Sequence, residues 1–244
     1  MRDLGLRLPP GRMPLFHRGR PLKRWRWVGV FGPELMLCVG DARVAGLAQR
    51  WWAIAEPGGK LHGGAGRNPG IVLELREGEA VEVASPHGRS YIWTRKQAGI
   101  AVRGSVELGG RRVELDGEAF VDDSAGYHAR HTSWRWSAGS GRLEDGRRVA
   151  WNLVDGVHDA PAASERTVWV EGGPHEVGPV EFAEDLSAVG GLRFSEWCAR
   201  EDHTRRGPFR SDYRQPFGSF SGELPGGLRL AEGHGVMEWH EARW

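Results

Sequence analysis

The sequence predicts an all-β protein built from antiparallel strands, and three observations point to this class. Apolar and polar residues alternate with a period of two in many segments, which is the pattern of strands with one buried face. Apolar residues at the helical spacings i, i+3 and i+4 are almost absent. The 37 glycines stand singly or in pairs between apolar segments, which indicates turns rather than flexible linkers.

Five breaks between alternating segments carry the residues of hairpin turns. The clearest is Gly109-Gly110 in SVELGGRRVEL, because two glycines adopt the positive φ of a tight primed turn without strain. The other hairpin turns are expected at 77–78, 145–146, 171–173 and 225–227. Helical turns are expected only within 39–50 and 184–190. Mobile loops are expected at 58–70 and 200–212.

The bulk composition excludes several classes of function. A formal net charge of +1 over 244 residues gives no global field that would favour nucleic acid or a membrane surface. Cys38 and Cys198 are too few for a disulfide framework, so a reducing compartment is expected. The N-terminus lacks the apolar core of a signal peptide, and no segment approaches the ~18 apolar residues of a spanning helix. We therefore expect a soluble cytoplasmic protein without a transmembrane segment.

The first 24 residues differ from the rest because they combine four prolines with several basic residues. Such a segment is either a basic arm for nucleic acid or an extended strap across the mouth of a barrel. No aromatic stacking platform accompanies the charges, so the strap is the favoured interpretation. Nucleic acid is not expected as a partner.

Twelve tryptophans are the strongest departure from an average composition. Alternate residues of a strand share a face, so Trp27 lies with Trp25, and Trp134 lies with Trp136. By the same count Trp169 shares a face with Thr167 and Glu165. These rings either fill a solid barrel or line a ligand cavity. Polar groups on the same faces favour a cavity, because an unpaired polar group is costly in a solid core.

The stretch VELDGEAFVDD, at 113–123, ends in two acids that face opposite sides. Asp122 continues the polar face of this segment, whereas Asp123 falls on the apolar face with Val121. A bulge at Gly117 would shift this register. Asp123 is therefore either a buried acid able to transfer a proton or one half of an ion pair.

The order of several short segments resembles a known family. These segments are RPLKRWRWVGVFGPELMLCVGDARV, QRWWAI, DDSAGYHARHTSWRWSAGSG, RRVAWNLVDG, SERTVWV, FGSFSG and MEWHEARW, and together they span roughly 20–244. The chain resembles the bacterial domain-of-unknown-function 2804 family. More distantly, it is similar to tandem lipocalin-like proteins, which include carotenoid hydratases, tocopherol cyclase and AttH proteins.

This resemblance implies two tandem, lipocalin-like antiparallel β-barrel units around an apolar cavity. We expect an N-terminal strap at 1–24, a first unit at 25–125 and a second at 126–244. In the hydratases and cyclases an acidic residue protonates an alkene of an isoprenoid, and the stretch 121–136 is the part that resembles them. It differs from their common Tyr-Asp-His-Asn-Trp-Gly pattern in reading Tyr-His-Ala-Arg-His at 127–131.

Three hypotheses for the function follow, and the sequence does not decide between enzyme and binding protein. The first is binding of an apolar or amphipathic small molecule in a Trp-lined cavity. The second is a hydratase-, cyclase- or isomerase-like enzyme that uses a buried carboxylate on an isoprenoid-like or polyketide-like substrate. The third is a structural protein with a filled barrel. The candidate catalytic residues are Asp123 and His128, and the candidate ligand-binding residues are Trp27, Tyr127, Trp134, Trp136, Asn152, Glu165 and Trp169.

No metal and no cofactor are expected. His128 and His131 are three positions apart and face opposite sides of a strand, and no further ligand lies at a familiar spacing. Ser124 could form a triad with His128 and Asp123, but no nucleophile-elbow pattern surrounds it. The separated glycines match neither a phosphate loop nor a dinucleotide-binding fingerprint. The expected partner is a small molecule, and the oligomeric state is open.

Overall fold

The N-terminal half of the chain folds into an eight-stranded antiparallel sheet. The computed structural model describes residues 6–66, 68, 70–207 and 209–243. The strands of this first sheet are β3 (Lys23–Val30), β4 (Met36–Val44), β5 (Leu47–Glu56), β6 (Lys60–Ala65), β7 (Ile71–Leu75), β8 (Val81–His87), β9 (Ser90–Leu108) and β10 (Arg111–Gly126). Their spatial order is β6-β5-β4-β3-β10-β9-β7, and β8 also pairs with β9. Ahead of them, β1 (Phe16–His17) and β2 (Arg20–Pro21) form a small ribbon.

The C-terminal half forms a second eight-stranded antiparallel sheet. Its strands are β11 (His131–Leu143), β12 (Arg148–Asp155), β13 (Thr167–Val170), β14 (Gly173–Glu176), β15 (Ala188–Val189), β16 (Gly191–Arg206), β17 (Phe209–Leu224) and β18 (Leu228–Arg243). Their order is β14-β13-β12-β11-β18-β17-β16-β15. The all-β prediction is confirmed, and the two tandem antiparallel sheets curl into half-barrels. Within the described residues, the chain has no helix with the length and apolarity of a membrane span.

Four of the five expected hairpin turns are confirmed. Gly109 and Gly110 join β9 to β10 with φ values of 59° and 79°, as a primed turn requires. The turns near 146, 172 and 226 join β11 to β12, β13 to β14, and β17 to β18. Each of these turns is local, so short-range sequence pattern is sufficient to specify it.

The hairpin expected at Glu77-Gly78 is wrong. The strands on either side, β7 and β8, do not pair with each other; both pair with β9. The turn residues are bound to β9 as well, because the Gly78 N–H donates to Gln97 Oε1 at 2.9 Å and Gln97 Nε2 donates to Glu77 Oε2 at 2.9 Å. The backbone groups with which β7 and β8 would pair in a hairpin are instead hydrogen-bonded to the long strand β9.

Three further expectations are corrected by strand pairing. The segment 39–50 is no helical turn; it belongs to β4 and β5, which meet at Ala45-Gly46. The expected loop at 58–70 contains β6, and the expected loop at 200–212 lies mostly in β16 and β17. Positions 67, 69 and 208 of these loops lie outside the described residues. Only 184–190 contains a single tight turn, in which the Leu186 N–H donates to the Ala183 carbonyl at 3.0 Å.

Each sheet has two buried faces, and one face of each meets the other sheet. The outer face of the first sheet has its own apolar cluster around Val102, Val106 and Val121, and the second sheet has one around Leu153 and Leu192. A third cluster joins the sheets and takes its members from both; they include Trp27, Met36, Phe120, Trp136, Trp169 and Val236. We call this third cluster the inter-sheet core.

The C-terminal strand β18 has side chains buried on both of its sides. Met237 and Trp239 lie on the outer side of the second sheet, whereas Glu238 is buried on the other side of β18. β18 lies in the middle of the second sheet and pairs with both β11 and β17. It is therefore an internal strand, hydrogen-bonded along both edges.

The described part of the N-terminal segment packs on one end of the first sheet. Met13 and Leu22 are buried against Trp93, Ala125 and Tyr127. Residues 1–5 lie outside the described residues. The exact division into a strap at 1–24 and units at 25–125 and 126–244 stays a prediction.

Candidate functional site

Three charged side chains are buried together in the inter-sheet core. Lys96 Nζ lies 2.7 Å from Asp122 Oδ1 and 3.5 Å from Glu165 Oε1. The exposed fractions of these residues are 4%, 8% and 2% for Lys96, Asp122 and Glu165, so water does not screen their charges. We call Lys96, Asp122 and Glu165 the buried charged cluster.

Strand pairing places the first two members directly opposite each other. Lys96 on β9 and Asp122 on β10 are Cα partners. A β-bulge interrupts this pairing two residues before Asp122, between Ala119 and Val121. Asp122 is held further by Trp25, whose Nε1 donates to Oδ2 at 3.1 Å. The pair therefore belongs to the first sheet alone.

The second sheet contributes Glu165, whose backbone is fixed on both sides. Its N–H donates to the His158 carbonyl at 3.0 Å, and its carbonyl accepts from Asn152 Nδ2 at 2.8 Å and from Thr167 Oγ1 at 3.1 Å. Glu165 lies two residues before the start of β13, in the loop after β12. The loop is thus pinned where it brings a carboxyl to the ion pair of the other sheet.

The protonation of the cluster is set by burial and by mutual attraction. Burial raises the pKa of Glu165 to about 7, and Lys96 acts against this rise. Burial also opposes the charge of Lys96, but Asp122 and Glu165 outweigh it and raise the pKa of the ammonium. Lys96 is therefore charged at neutral pH, while burial shifts Glu165 toward its protonated form.

Aromatic rings surround the cluster. The Lys96 ammonium lies 5.4 Å from the centroid of the Trp136 ring, within reach of a cation–π interaction. Trp136 packs edge-to-face on Trp27 at 5.3 Å and on Phe120 at 5.8 Å, and Phe120 contacts Trp169 at 6.2 Å. Trp136 Nε1 donates to Asn152 Oδ1 at 2.7 Å, which links the aromatic wall to the residue that holds Glu165.

A third buried acid, Glu238, lies in the same core, and both of its carboxyl oxygens accept hydrogen bonds. Its Oε1 accepts from Trp134 Nε1 at 2.8 Å, and its Oε2 accepts from Tyr213 Oη and Gln215 Nε2, each at 2.9 Å. Burial raises the pKa of its carboxyl, and the bond from Trp134 acts in the opposite direction. Three donors leave it little capacity to bind anything else.

Glu165 differs from Glu238 in having an unused acceptor. Its Oε2 is buried and makes no hydrogen bond with any described residue. His128 Nδ1 is in the same situation, between the rings of Trp25 at 5.3 Å and His87 at 5.5 Å. Unpaired polar atoms in a protein interior are uncommon, and each calls for an explanation such as an ordered water, an ion or a functional role.

Six of the predicted site residues meet in the inter-sheet core. They are Trp27, Trp134, Trp136, Asn152, Glu165 and Trp169. Tyr127 lies elsewhere: it is fully buried under the N-terminal segment, and its hydroxyl donates to the Pro14 carbonyl at 2.7 Å. His128 is buried at the edge of the core, where burial lowers the pKa of its imidazole well below the usual range.

Asp123 points to the opposite face of β10 from Asp122. Its carboxylate accepts two hydrogen bonds from Arg26 Nη1 at 2.9 Å and one from Arg95 at 3.4 Å. Burial raises the pKa of this carboxyl, while Arg26 acts to lower it. No hydrogen bond or ion pair among the described residues joins Asp123 to His128. The catalytic roles of these two residues stay a prediction, and the geometry directs attention to Glu165.

Sequence reasoning missed Lys96 and Glu238, and it placed Asp122 on a polar face without proposing a role for it. Weak signals were present. Lys96 shares strand parity with Ile92 and Thr94, which are buried, and Glu238 shares parity with buried Val236. A charge within an apolar face was thus visible in both strands. Among the described residues, no group of three or more His, Cys, Asp or Glu side chains is arranged to hold a metal ion.

Several solved structures resemble the fold at low sequence identity. An AttH-like protein from Nitrosomonas europaea matches with a TM-score of 0.47 and 13% identity over 95% of this chain and 97% of that one. CghA, solved with Sch210972, matches with a TM-score of 0.42 and 9% identity over 91% and 88% of the two chains. Kievitone hydratase from Nectria haematococca matches with a TM-score of 0.43 and 9% identity over 89% and 88%.

No curated protein sequence matches the chain significantly. A family model does match: the model described as Domain of unknown function (DUF2804) covers residues 63–244. That range contains the whole second sheet together with β7 to β10 of the first, and thus every member of the buried charged cluster. By this match over most of its length, the chain belongs to the DUF2804 family.

Proposed function

We propose that the protein binds an apolar or amphipathic small molecule between its two sheets. The rings around Trp136 form the walls of the site, and the buried charged cluster is its polar anchor. One observation carries this proposal. Glu165 is fully enclosed, next to a closely paired lysine and aspartate, and yet keeps one carboxyl oxygen without a hydrogen-bond donor among the described residues.

Stability alone does not account for this arrangement. Replacing a buried ion pair or triad by apolar residues of similar volume is often neutral or stabilising. A buried acceptor left without a donor costs roughly 1–3 kcal/mol more. A purely structural core with apolar residues at these positions would therefore be as stable or more stable. A ligand hydroxyl or carbonyl beside Glu165 and Lys96 would satisfy these groups.

We infer a second candidate function, general acid–base catalysis by Glu165, because its pKa is about 7. A catalytic acid or base works best when its pKa is near the working pH. A carboxyl in an apolar site can donate a proton to an alkene or remove one beside a carbonyl. This is the chemistry of a hydratase-, cyclase- or isomerase-like enzyme acting on an isoprenoid-like or polyketide-like substrate.

Binding is tested with a neutral isoprenoid alcohol, farnesol, by tryptophan fluorescence. We expect saturable quenching, weakened by Trp136→Phe, which removes the bond to Asn152, and by Glu165→Gln. Glu144→Gln, an exposed change of the same kind, is the matched control and should bind as the wild type. If neither farnesol nor geranylgeraniol changes the fluorescence while Trp136→Phe still lowers stability, the core is a filled barrel and the proposal fails.

Catalysis is tested by incubating the protein with farnesol and with β-ionone in D₂O and measuring deuterium uptake by mass spectrometry. We expect Glu165→Gln to abolish uptake that the protein catalyses. The variant Asp123→Asn tests the alternative hypothesis that Asp123 is the catalytic carboxyl. If Asp123→Asn loses deuterium uptake while Glu165→Gln keeps it, the catalytic carboxyl is Asp123, on the other face of β10, and the assignment to Glu165 is wrong.

A cytoplasmic location is part of the same proposal. It is supported by the two cysteines, which are both free thiols in the structure, with Cys38 buried and Cys198 partly exposed. Free thiols are typical of a reducing compartment. Fractionation of the native cells with an antibody against the protein would test the location.

A further inference from the structure

A groove of about 760 Å³ lies on the face of β10 opposite the buried charged cluster. It is bounded by Pro9 and Pro10 of the N-terminal segment and by Trp93 and Ala125 of the first sheet. A volume of this size is typical of small-molecule sites. Because the β3–β10 backbone separates it from the inter-sheet core, this groove is a second site.

The acids of the groove already have partners. Asp123 accepts from Arg26 and Arg95, as described above. Asp41 accepts from Arg50 Nε at 2.7 Å, and Glu82 accepts from the indole N–H of Trp93 at 3.3 Å. These three carboxylates are thus neutralised or hydrogen-bonded by the protein itself.

Two arginines of the groove, Arg24 and Arg43, are less well paired than these carboxylates. Arg24 on β3 and Arg43 on β4 are Cα partners, so their side chains leave the sheet side by side. The Arg24 side chain makes no ion pair or hydrogen bond with the described residues. Arg43 Nε forms a long ion pair with Asp41 Oδ1 at 3.9 Å, and the other oxygen of that carboxylate is bound to Arg50. Like charges directly opposite each other on neighbouring strands are destabilising.

We propose that this groove binds an amphipathic anion. Its carboxylate or phosphate group lies between Arg24 and Arg43, and its apolar part packs on Trp93, Pro9 and Pro10. An anion there removes the repulsion between the two guanidinium groups and gains charge-assisted hydrogen bonds from both. An indole and two prolines offer apolar area at low entropic cost. This proposal does not rest on the proposed function, because it uses other residues on the other face.

The test uses four C12 probes below their micellar concentrations: dodecanoate, dodecyl phosphate, dodecanol and dodecyltrimethylammonium. Binding is measured by calorimetry and tryptophan fluorescence. We expect both anions to bind about tenfold or more tightly than dodecanol, and the cation to bind more weakly than dodecanol. A preference for only one of the two anions would identify the headgroup as a carboxylate or a phosphate.

The variants separate the headgroup from the apolar part. Arg24→Gln combined with Arg43→Gln should remove the preference for anions and leave dodecanol binding unchanged. Arg142→Gln combined with Arg229→Gln removes the same charge from exposed positions on the second sheet and should have no effect. Glu165→Gln should also leave the binding of the anions unchanged, which separates this site from the inter-sheet core.

Two results would overturn the proposal. One is equal affinity for dodecanoate and dodecanol in the wild type. The other is a preference for anions that survives loss of both arginines, which would place the anion elsewhere. The apolar wall of the groove provides a further check, because Trp93→Leu on β9 should weaken the binding of dodecanol and of dodecanoate by the same factor.

Discussion

Asp122 and Asp123 are neighbours in the chain but belong to two different chemical environments. The side chain of Asp122 faces the inter-sheet core and is 11% exposed, with Lys96 as its close partner. The side chain of Asp123 faces the groove and is 20% exposed, with two arginines as partners. Both form ion pairs, yet the interior pair is shielded from water and salt and the groove pair is only partly so. Solvent access, more than partner identity, decides what each pair contributes.

The largest effect is expected from removing the cation of the interior pair. Lys96→Met leaves Asp122 and Glu165 as buried acids without a counter-charge, and we expect a loss of roughly 3–5 kcal/mol in the free energy of unfolding. Urea denaturation measures this loss. The double variant Lys96→Met, Asp122→Leu should recover part of it, because no uncompensated aspartate remains. A loss below ~1 kcal/mol in the single variant would mean that water reaches the cluster.

An intermediate effect is expected from the titration of Glu165. In the folded state its pKa is about 7, against 4.5 for an ordinary glutamate. Between these pH values the folded protein keeps a proton that the unfolded chain has lost. The contribution of this group to stability is therefore complete below pH 4.5 and is lost as the pH rises to 7, on the order of 3 kcal/mol.

The measurement compares unfolding free energies of the wild type and of Glu165→Gln from pH 4.5 to 8. The difference between the two curves should change through this window and level off above it. Glu144→Gln, at an exposed position, should run parallel to the wild type. A constant difference for Glu165→Gln would show that this carboxyl has an ordinary pKa.

The smallest effect is expected on the groove side. Asp123→Asn weakens a partly exposed ion pair, and we expect a loss of about 1 kcal/mol that shrinks further in 1 M NaCl. Asp122→Asn, one residue earlier, should cost about three times as much and should be insensitive to salt. Equal losses with equal salt dependence would show that the two faces of β10 do not differ as the structure indicates.

The sequence was sufficient to predict where the side chains of β10 point, but not which face the second sheet covers. Period-two alternation correctly separates Asp122 from Asp123. It cannot reveal that Phe120 and Asp122 face another sheet, since that depends on packing between strands far apart in sequence. The same reason explains why Lys96 was missed while Trp136 and Glu165 were found. Apolar rings on one face are visible in a single strand, whereas a buried lysine is defined by its distant partners.

Hairpin turns also depend partly on local residues and partly on strands that are distant in sequence. The turn at Gly109-Gly110 depends on the two glycines themselves, so its prediction is confirmed. Glu77-Gly78 has equally good turn residues, yet β9 pairs with the strands on both sides. Local chemistry decides that a turn forms, and a longer neighbouring strand decides which strands it joins.

The arrangement of the two sheets has a consequence for synthesis on the ribosome. Each sheet closes within its own half of the chain, the first through contacts such as Trp25 with Asp122, 97 positions apart. The first sheet is thus complete before the second has been made, and its inner face, with Trp27, Met36 and Phe120, then faces water. Exposed apolar surface of this kind promotes aggregation of nascent chains, and charged residues beside it act as gatekeepers. At that stage Lys96 and Asp122 are hydrated, so their charges carry no desolvation cost. We therefore expect the charges that destabilise the finished core to keep the partly synthesised protein soluble.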